Sequence, residues 1–485
     1  MQAADAAARC LYPTRLRLPV PPVAVTPPVP SFAGRAPALE WLDAERATLV
    51  ALTRHAAEAG QQRTAWLLAD TLRGYFWLRM CLVDWLATAQ AGLAAAEADT
   101  NLPAQAAALL SLGDVYQDRG QHHKATDSYQ AALSRMREMG SLEGQASVLN
   151  NLGIIHGRAG RLRDAEACYA EAAGINRQTG SVTGLALNLI NLGRVYQESG
   201  QLERAAKSEA DALTLATDAG FGAGAAIATT NLGEFRHAQG QLGDALDLLT
   251  RAGDMLHDIG DVRTKADTLR LLAQVHADLG RPDQALRMAR AAYTLARDAG
   301  DGQGEADALN TLGFLLRSRG DWADAADLHQ QALRVARHAE GRHPETVALI
   351  GLAEAAGAQP GQIETALECA HDALALTRET GYGCLEGQAL ATLAGVYCSR
   401  GRADEAIDHA WQALPILRET GLRLHEAHCE VFLGHLVSAQ RPDAAHTHWG
   451  HALTLFTEAG SPQAGHVRAL LHHLGLPARD QRRGG

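Results

Sequence analysis

Apolar side chains recur at helical spacing along most of the chain. Val148, Leu149, Leu152 and Ile155 form one stripe, Gly160 interrupts it, and Leu162, Ala165, Tyr169 and Ala172 resume it at intervals of 3, 4 and 3 residues. Side chains three and four apart share a helix face, so the pattern predicts two amphipathic helices joined by a tight turn.

That pair repeats. Leu-Gly or Leu-Ala begins at Leu112, Leu152, Leu192, Leu232, Leu272, Leu312 and Leu352, each 40 residues after the last, and Leu393 and Leu433 continue the series after one inserted residue. Gly120, Gly160, Gly200, Gly240, Gly280 and Gly320 mark the turn inside each unit, and Gly140, Gly180, Gly220, Gly260 and Gly300 mark the turn between units. A helix often ends on a left-handed residue, which glycine adopts at little cost. Ala125, Ala165, Ala205, Ala245, Ala285 and Ala325 recur where two helix axes must approach closely. The expected fold is all-α, a solenoid of about ten stacked 40-residue hairpins.

Leu152-Gly153, Ala165, Tyr169 and Ala172 resemble the Leu-Gly, Ala, aromatic and Ala positions of the tetratricopeptide repeat. The resemblance recurs in nine units over 101–460 and implies a right-handed superhelix with the first helix of each unit on its concave side. Each unit is longer than the common form, and Gly180 and its equivalents replace the usual terminal proline.

Upstream, Leu72 and Tyr75-Phe76 keep the period in a degenerate unit over 38–100, as a terminal cap does. Trp41, Trp66, Trp77 and Trp85 fall there, either as a bulky cap core or as an aromatic ligand pocket. Residues 1–37 hold eight prolines between Pro13 and Pro37 and are expected to be extended, outside the helical core. A capping helix over 461–476 and a disordered basic tail over 477–485 are expected to close the chain.

Leu11-Tyr12-Pro13, Leu16-Arg17-Leu18-Pro19, the run Ala38 to Arg46, and Asp84-Trp85 resemble the junction preceding the repeats in actinobacterial antibiotic-biosynthesis transcriptional regulators of the SARP and NB-ARC type. Those regulators place a DNA-binding domain, an activation domain and a P-loop ATPase before it. The sequence has no GxxxxGK[ST], so the resemblance covers their C-terminal, sensory part.

Composition narrows the partners. Hydrophobic residues make up 47% of the chain and aromatic ones 5%, which favours helix over strand. A formal charge of -11 argues against direct nucleic-acid binding. Seven dispersed cysteines without a CxxC pair suit a reducing cytosol, and the sequence shows neither a signal peptide nor an apolar run long enough for a membrane span, so a cytoplasmic protein is expected.

On the first helix, the stripe not needed for packing contains Asn151, Ile154 and Arg158; Asn191, Arg194 and Glu198; and Asn231 and Glu234. Asn151, Asn191 and Asn231 form a ladder of amides able to pair with the backbone of an extended peptide; the competing reading is that they fix the register between units. The resemblance implies peptide contact at this position, with Asn150, Arg158, Arg194, Arg270 and Asn310 as further candidates. Asp114, Asp118, Glu198 and Glu234 either favour a cationic partner or are simply solvated.

His425-Glu426-Ala427-His428, His446, His448 and His451 invite a metal reading, but HEAH lacks the spacing of HExxH, and no GxSxG occurs. No cofactor is expected. The sequence points to a non-enzymatic scaffold that docks a protein or extended peptide, such as a DNA-binding or P-loop ATPase regulator. The alternatives are a free adaptor outside transcription and a metal enzyme in the histidine-rich last units.

Overall fold

The computed structural model describes residues 1–12, 17–21, 29–259 and 261–473. Among them every regular element is a helix: α1 (Gln2–Leu11), α2 (Arg35–Glu58), α3 (Gln62–Arg79), α4 (Leu82–Ala98), α5 (Leu102–Asp118), α6 (His122–Glu138), α7 (Leu142–Arg158), α8 (Leu162–Thr179), α9 (Val182–Glu198), α10 (Leu202–Asp218), α11 (Gly222–Ala238) and α12 (Leu242–Ile259). The order continues with α13 (Val262–Asp278), α14 (Pro282–Asp298), α15 (Gly302–Arg317), α16 (Trp322–His338), α17 (Arg342–Gly357), α18 (Ile363–Thr380), α19 (Gly383–Ser399), α20 (Ala403–Glu419), α21 (Arg423–Val437), α22 (Pro442–Glu458) and α23 (Gln463–His473).

Local chemistry sets the ends. Asn101, Asp261 and Asp301 cap α5, α13 and α15 by accepting the backbone N–H three residues on. Pro282 and Pro442 open α14 and α22, where a missing N–H costs nothing. Gly260 lies outside the described residues; the other turn glycines have φ between +61° and +87°, and Met80, Thr100 and Glu340 adopt the same left-handed conformation where the sequence offers no glycine.

Inside a hairpin, the glycine after the marker leucine makes room for a side chain of the second helix. A Cβ at Gly113 would stand 2.3 Å from the Tyr129 ring, and one at Gly233 would stand 2.7 Å from Leu249. Where Ala273 replaces the glycine, the facing residue shrinks to Ala289, and both are fully buried. The six period-40 alanines from Ala125 to Ala325 are also fully buried.

The contacts divide the chain into two compact units, Met1–Ile155 with Glu171–Gly180, and His156–Ala170 with Ser181–Gly485. The first has an aromatic core in which Tyr75, Phe76 and Trp85 are buried and Trp85 Nε1 donates to Ser111 Oγ at 2.8 Å. Trp66 is buried in a neighbouring cluster, Trp41 is partly buried, and Trp77 is exposed. Within 1–37, Gln2–Leu11 is helical rather than extended, because Ala4, Ala7 and Leu11 supply an apolar face to this core. Residues 17–21 form no regular element and lie against the helices: Leu18 N donates to Asp70 Oδ2 at 2.8 Å, and Leu18 and Val20 pack beside Trp66. Most of the remaining proline-rich segment and the tail 477–485 lie outside the described residues.

The second unit is a stack of hairpins that coils back onto itself. Tyr382 OH donates to Gly157 O at 3.5 Å, Cys384 Sγ to Gln197 O at 3.0 Å and Ser461 Oγ to Asp278 O at 3.2 Å, across 225, 187 and 183 residues of sequence. Along this seam Gly160 faces Thr380, Gly200 faces Thr420, Gly240 faces Arg423 and Ala459, and Gly280 faces Pro462. Gly200 is required twice over: its φ is +81°, and a Cβ there would stand 2.7 Å from the Thr420 methyl.

Candidate functional site

Seam closure surrounds the first helices of the second unit and turns their unpacked stripe inward. Arg194 and Glu198 come from α9, Glu234 from α11, Asp267 and Arg270 from α13, Asp307 from α15 and His343 from α17. Arg270 Nη2 lies 2.7 Å from Asp267 Oδ1 and 3.7 Å from Glu234 Oε1, Arg194 Nε lies 4.0 Å from Glu198 Oε1, and His343 Nδ1 lies 4.0 Å from Asp307 Oδ1. His343 also meets the Tyr382 ring edge-on at 5.6 Å, which joins this group to the seam.

Two properties define the place. Arg194 keeps 62% of its side-chain surface open to solvent, and Glu234 keeps 31%. Yet desolvation by surrounding protein is the largest influence on the titration of both. Groups that water reaches while protein surrounds them line the inner, concave side of the coil. Burial pushes Asp307 up to about 7, with Asp267 and Asp301 adding to the push and Arg270 opposing it. Burial also raises Glu198, against the pull of His343 and Arg194, and lowers His343 toward its neutral form.

Behind this wall stands Glu209 on α10, 1% exposed, at the position that Tyr129, Leu249 and His329 occupy in other hairpins. It accepts from Asn231 Nδ2 at 3.3 Å through Oε1, whereas Oε2 has no hydrogen-bond partner among the described residues. Burial pushes this carboxyl up to about 8, opposed by the Asn231 hydrogen bond and reinforced by Glu234.

A second polar group in the same unit comprises His237, whose Nε2 donates to Asp278 Oδ2 at 2.7 Å, His425, which burial pushes down to about 4, and the Arg317–Glu354 ion pair. Glu426 of the HEAH run is bound by Arg418 Nε at 2.8 Å, and His428 packs edge-on against Phe456. Among the described residues no group of three or more His, Cys, Asp or Glu is placed to hold a metal ion. Nor is any described helix long and apolar enough to cross a membrane.

Family comparison fits this architecture. The tetratricopeptide repeat profile matches residues 104–178, 144–218, 224–298 and 304–379, and a second profile of the same name matches 387–420. The chain belongs to the tetratricopeptide repeat family. It is 32% identical over 117 residues to the regulatory protein AfsR of Streptomyces griseus, a match covering 24% of this chain and only 12% of that relative's length. The Rap conjugation gene regulator of the plasmid pLS20, solved in complex with the Phr* peptide, is similar in fold, with a TM-score of 0.53 at 15% identity over 69% of this chain and 95% of that one. A signal-transduction ATPase with a tetratricopeptide repeat sensor, from Pyrococcus horikoshii, gives a TM-score of 0.43 at 13% identity, covering 75% of this chain and 54% of that one.

The tetratricopeptide repeats place the sequence-predicted residues in different settings. Arg194 and Arg270 are on the lumen wall, and Asn191 is half-buried on the same α9. Asn231 is 8% exposed and bonded to Glu209, while Asn310 donates to Pro344 O at 3.0 Å and accepts from His329 Nδ1 at 3.0 Å, tying α15 to α16 and α17. In the first unit, Asn151 donates to Asp114 Oδ1 at 3.1 Å and Tyr129 OH at 3.4 Å, with Asn150 Nδ2 3.5 Å from its oxygen. Arg158 is half-buried, within electrostatic reach of Tyr169. Sequence reasoning missed Asp267, Asp307, His343 and Tyr382. The available signal was Asp267 three residues before Arg270 on one helix face, with Asp307 repeating it 40 residues later.

Proposed function

We propose that the chain is a non-enzymatic protein- or peptide-binding repeat scaffold that acts as the sensor or partner-docking arm of a transcriptional regulatory system. One observation carries the reading: four successive first helices, α9, α11, α13 and α15, present charged side chains to an enclosed, solvent-reached lumen. Burying charge without a ligand to meet is unfavourable, so an interior kept polar over several repeats favours recognition over packing. Arg194, Arg270 and Asn191 are the proposed direct contacts in the lumen, and Asn231 holds its wall through Glu209. Asn150, Asn151, Arg158 and Asn310 are proposed to take part through the repeats that carry them.

The peptide bound to the Rap regulator supports a peptide as occupant, and the similarity to a regulatory protein supports a regulatory setting; a P-loop ATPase or DNA-binding regulator is the partner this reading proposes. A ligand spanning several hairpins favours one pitch of the coil, and the seam reports that pitch. Hydrogen exchange of the full chain, with and without a peptide fraction from the source cells, tests the reading. Protection concentrated in α9, α11 and α13 is expected, and its reduction in an Asn151, Asn191, Asn231→Ala variant would place the amides in the contact. An unchanged exchange pattern in the wild type counts against the scaffold.

A further inference from the structure

In the first unit a short stretch of the chain lies on α3 as a bound peptide would. Residues 17–21 form no regular element, yet their backbone is held at two points: Leu18 N donates to Asp70 Oδ2 at 2.8 Å, and Gln2 Nε2 of α1 donates to Pro21 O at 2.7 Å. Between these anchors Leu18 and Val20 pack on a cluster made of Ala56 from α2, Trp66 and Leu67 from α3 and Ala95 from α4, while Pro19 is exposed. One N–H, one carbonyl and two alternate apolar side chains are the terms in which a protein surface reads a peptide.

The receiving surface is more firmly built than the segment it receives. Trp66, Leu67 and Asp70 are 7%, 4% and 6% exposed, and Trp66 Nε1 donates to Asp99 Oδ2 at 3.1 Å, whereas none of residues 17–21 is buried. The fit is also incomplete. A small cavity lined by Tyr12, Arg17, Asp70 and Tyr75 opens beside the first anchor, and Asp70 Oδ1 has no hydrogen-bond partner among the described residues. A buried carboxylate oxygen without a donor is costly, so the chain's own segment does not exhaust what this surface can bind. Because that segment belongs to no helix, it can leave α3 without unfolding one.

We propose that the α3 surface between Trp66 and Asp70 is a docking site for a partner protein's apolar segment with the proline spacing of Arg17-Leu18-Pro19-Val20-Pro21, and that residues 17–21 occupy it in the partner's absence. The first apolar residue of the incoming segment presents its N–H to Asp70, and the basic residue before it meets Asp5 and Asp70, both of which attract Arg17. Prolines at the positions of Pro19 and Pro21 fix φ on either side of the second apolar residue, which reduces the order lost on docking. The site belongs to the first unit, so it stands or falls independently of the lumen reading.

The test measures fluorescence anisotropy of a labelled Arg-Leu-Pro-Val-Pro peptide against the full chain, as wild type and as a Leu18→Ser, Val20→Ser double variant. The variant weakens the resident segment and leaves Trp66 and Asp70 in place. About ten-fold tighter binding of the peptide by the variant is expected, because the tethered competitor no longer holds the surface. N-methylation of the peptide's leucine removes the N–H given to Asp70 and should return binding to the wild-type level. Equal binding of the peptide by wild type and the folded double variant, or tight binding of the N-methyl peptide, overturns the proposal. So does a double variant that loses its helical circular dichroism, since the segment would then be a fixed part of the fold. A wild type that sediments as a dimer and is dissociated by the peptide makes a second copy the donor and overturns the partner assignment.

Discussion

In the unit built from Met1–Ile155 with Glu171–Gly180, Tyr75, Phe76 and Trp85 fill the interior and Trp85 satisfies its one donor on Ser111. In the unit built from His156–Ala170 with Ser181–Gly485, the first helices turn Arg194, Glu234, Arg270 and Asp307 toward their lumen, and packing between helices relies on alanines such as Ala205, Ala245 and Ala285. The same helical hairpin thus supports an apolar cap in one place and a wet, charged interior in another. What changes is the residue placed on the stripe left over after packing, and with it the division of labour between stability and recognition.

The sharpest break in this comparison is Trp85→Ala. Removing a fully buried indole should cost about 3–5 kcal/mol and abolish hydrogen-exchange protection in α3 and α4 before that in α9 to α15. Uniform loss across both units would show that the aromatic core does not stand alone.

Next is Glu209→Gln. The carboxyl has a pKa raised from 4.5 to about 8, so it holds its proton more tightly folded than unfolded. Its contribution is intact below the unfolded value and is lost as pH rises through the folded one. The wild type should lose on the order of 3 kcal/mol from this group between about pH 5 and about pH 9, and the variant should lack that loss. Denaturation midpoints measured at both ends of the range decide it; parallel pH profiles would remove Glu209 from the account.

Ala205→Trp should cost about 1–3 kcal/mol by overpacking a fully buried contact in the second unit. The measurement is local exchange in α9 to α11, and unchanged protection there would contradict the close helix approach. Smallest of all, Arg194→Gln should change stability by no more than about 0.5 kcal/mol while altering ligand retention, because its side chain is mostly solvent-exposed. A large loss of stability would make the lumen a structural feature and narrow the contrast between the units.

The hairpins were legible because two constraints leave marks at fixed intervals. The marker glycines make room for Tyr129, Leu249 and their equivalents, and the turn glycines take positive φ. Met80, Thr100 and Glu340 carry no such mark, although they take the same left-handed turn. α1 was hidden by its nearness to the prolines, although Ala4, Ala7 and Leu11 share one face. Arg194 and Arg270 could be picked from the stripe, whereas Asp307 and His343 could not be joined to them. Their proximity depends on how far the coil turns per hairpin, a small angle set by packing at every interface and absent from any local pattern. For the same reason the sequence left the amide ladder open between peptide contact and register, while Asn151 and Asn231 are hydrogen-bonded within the protein.

The seam carries a consequence for the length of the array. Open solenoids tolerate the gain or loss of a module because each touches only its neighbours. Here Gly157 must meet Tyr382 and Asp278 must meet Ser461, at 225 and 183 residues along the chain. Excising one 40-residue module from between them would bring Thr420 or its surroundings one step out of phase with Gly200, like a screw thread cut to the wrong pitch. The number of modules is therefore counted by the molecule itself, and duplication or deletion, the ordinary route by which such arrays evolve, is closed to this stretch unless both strands of the thread change together.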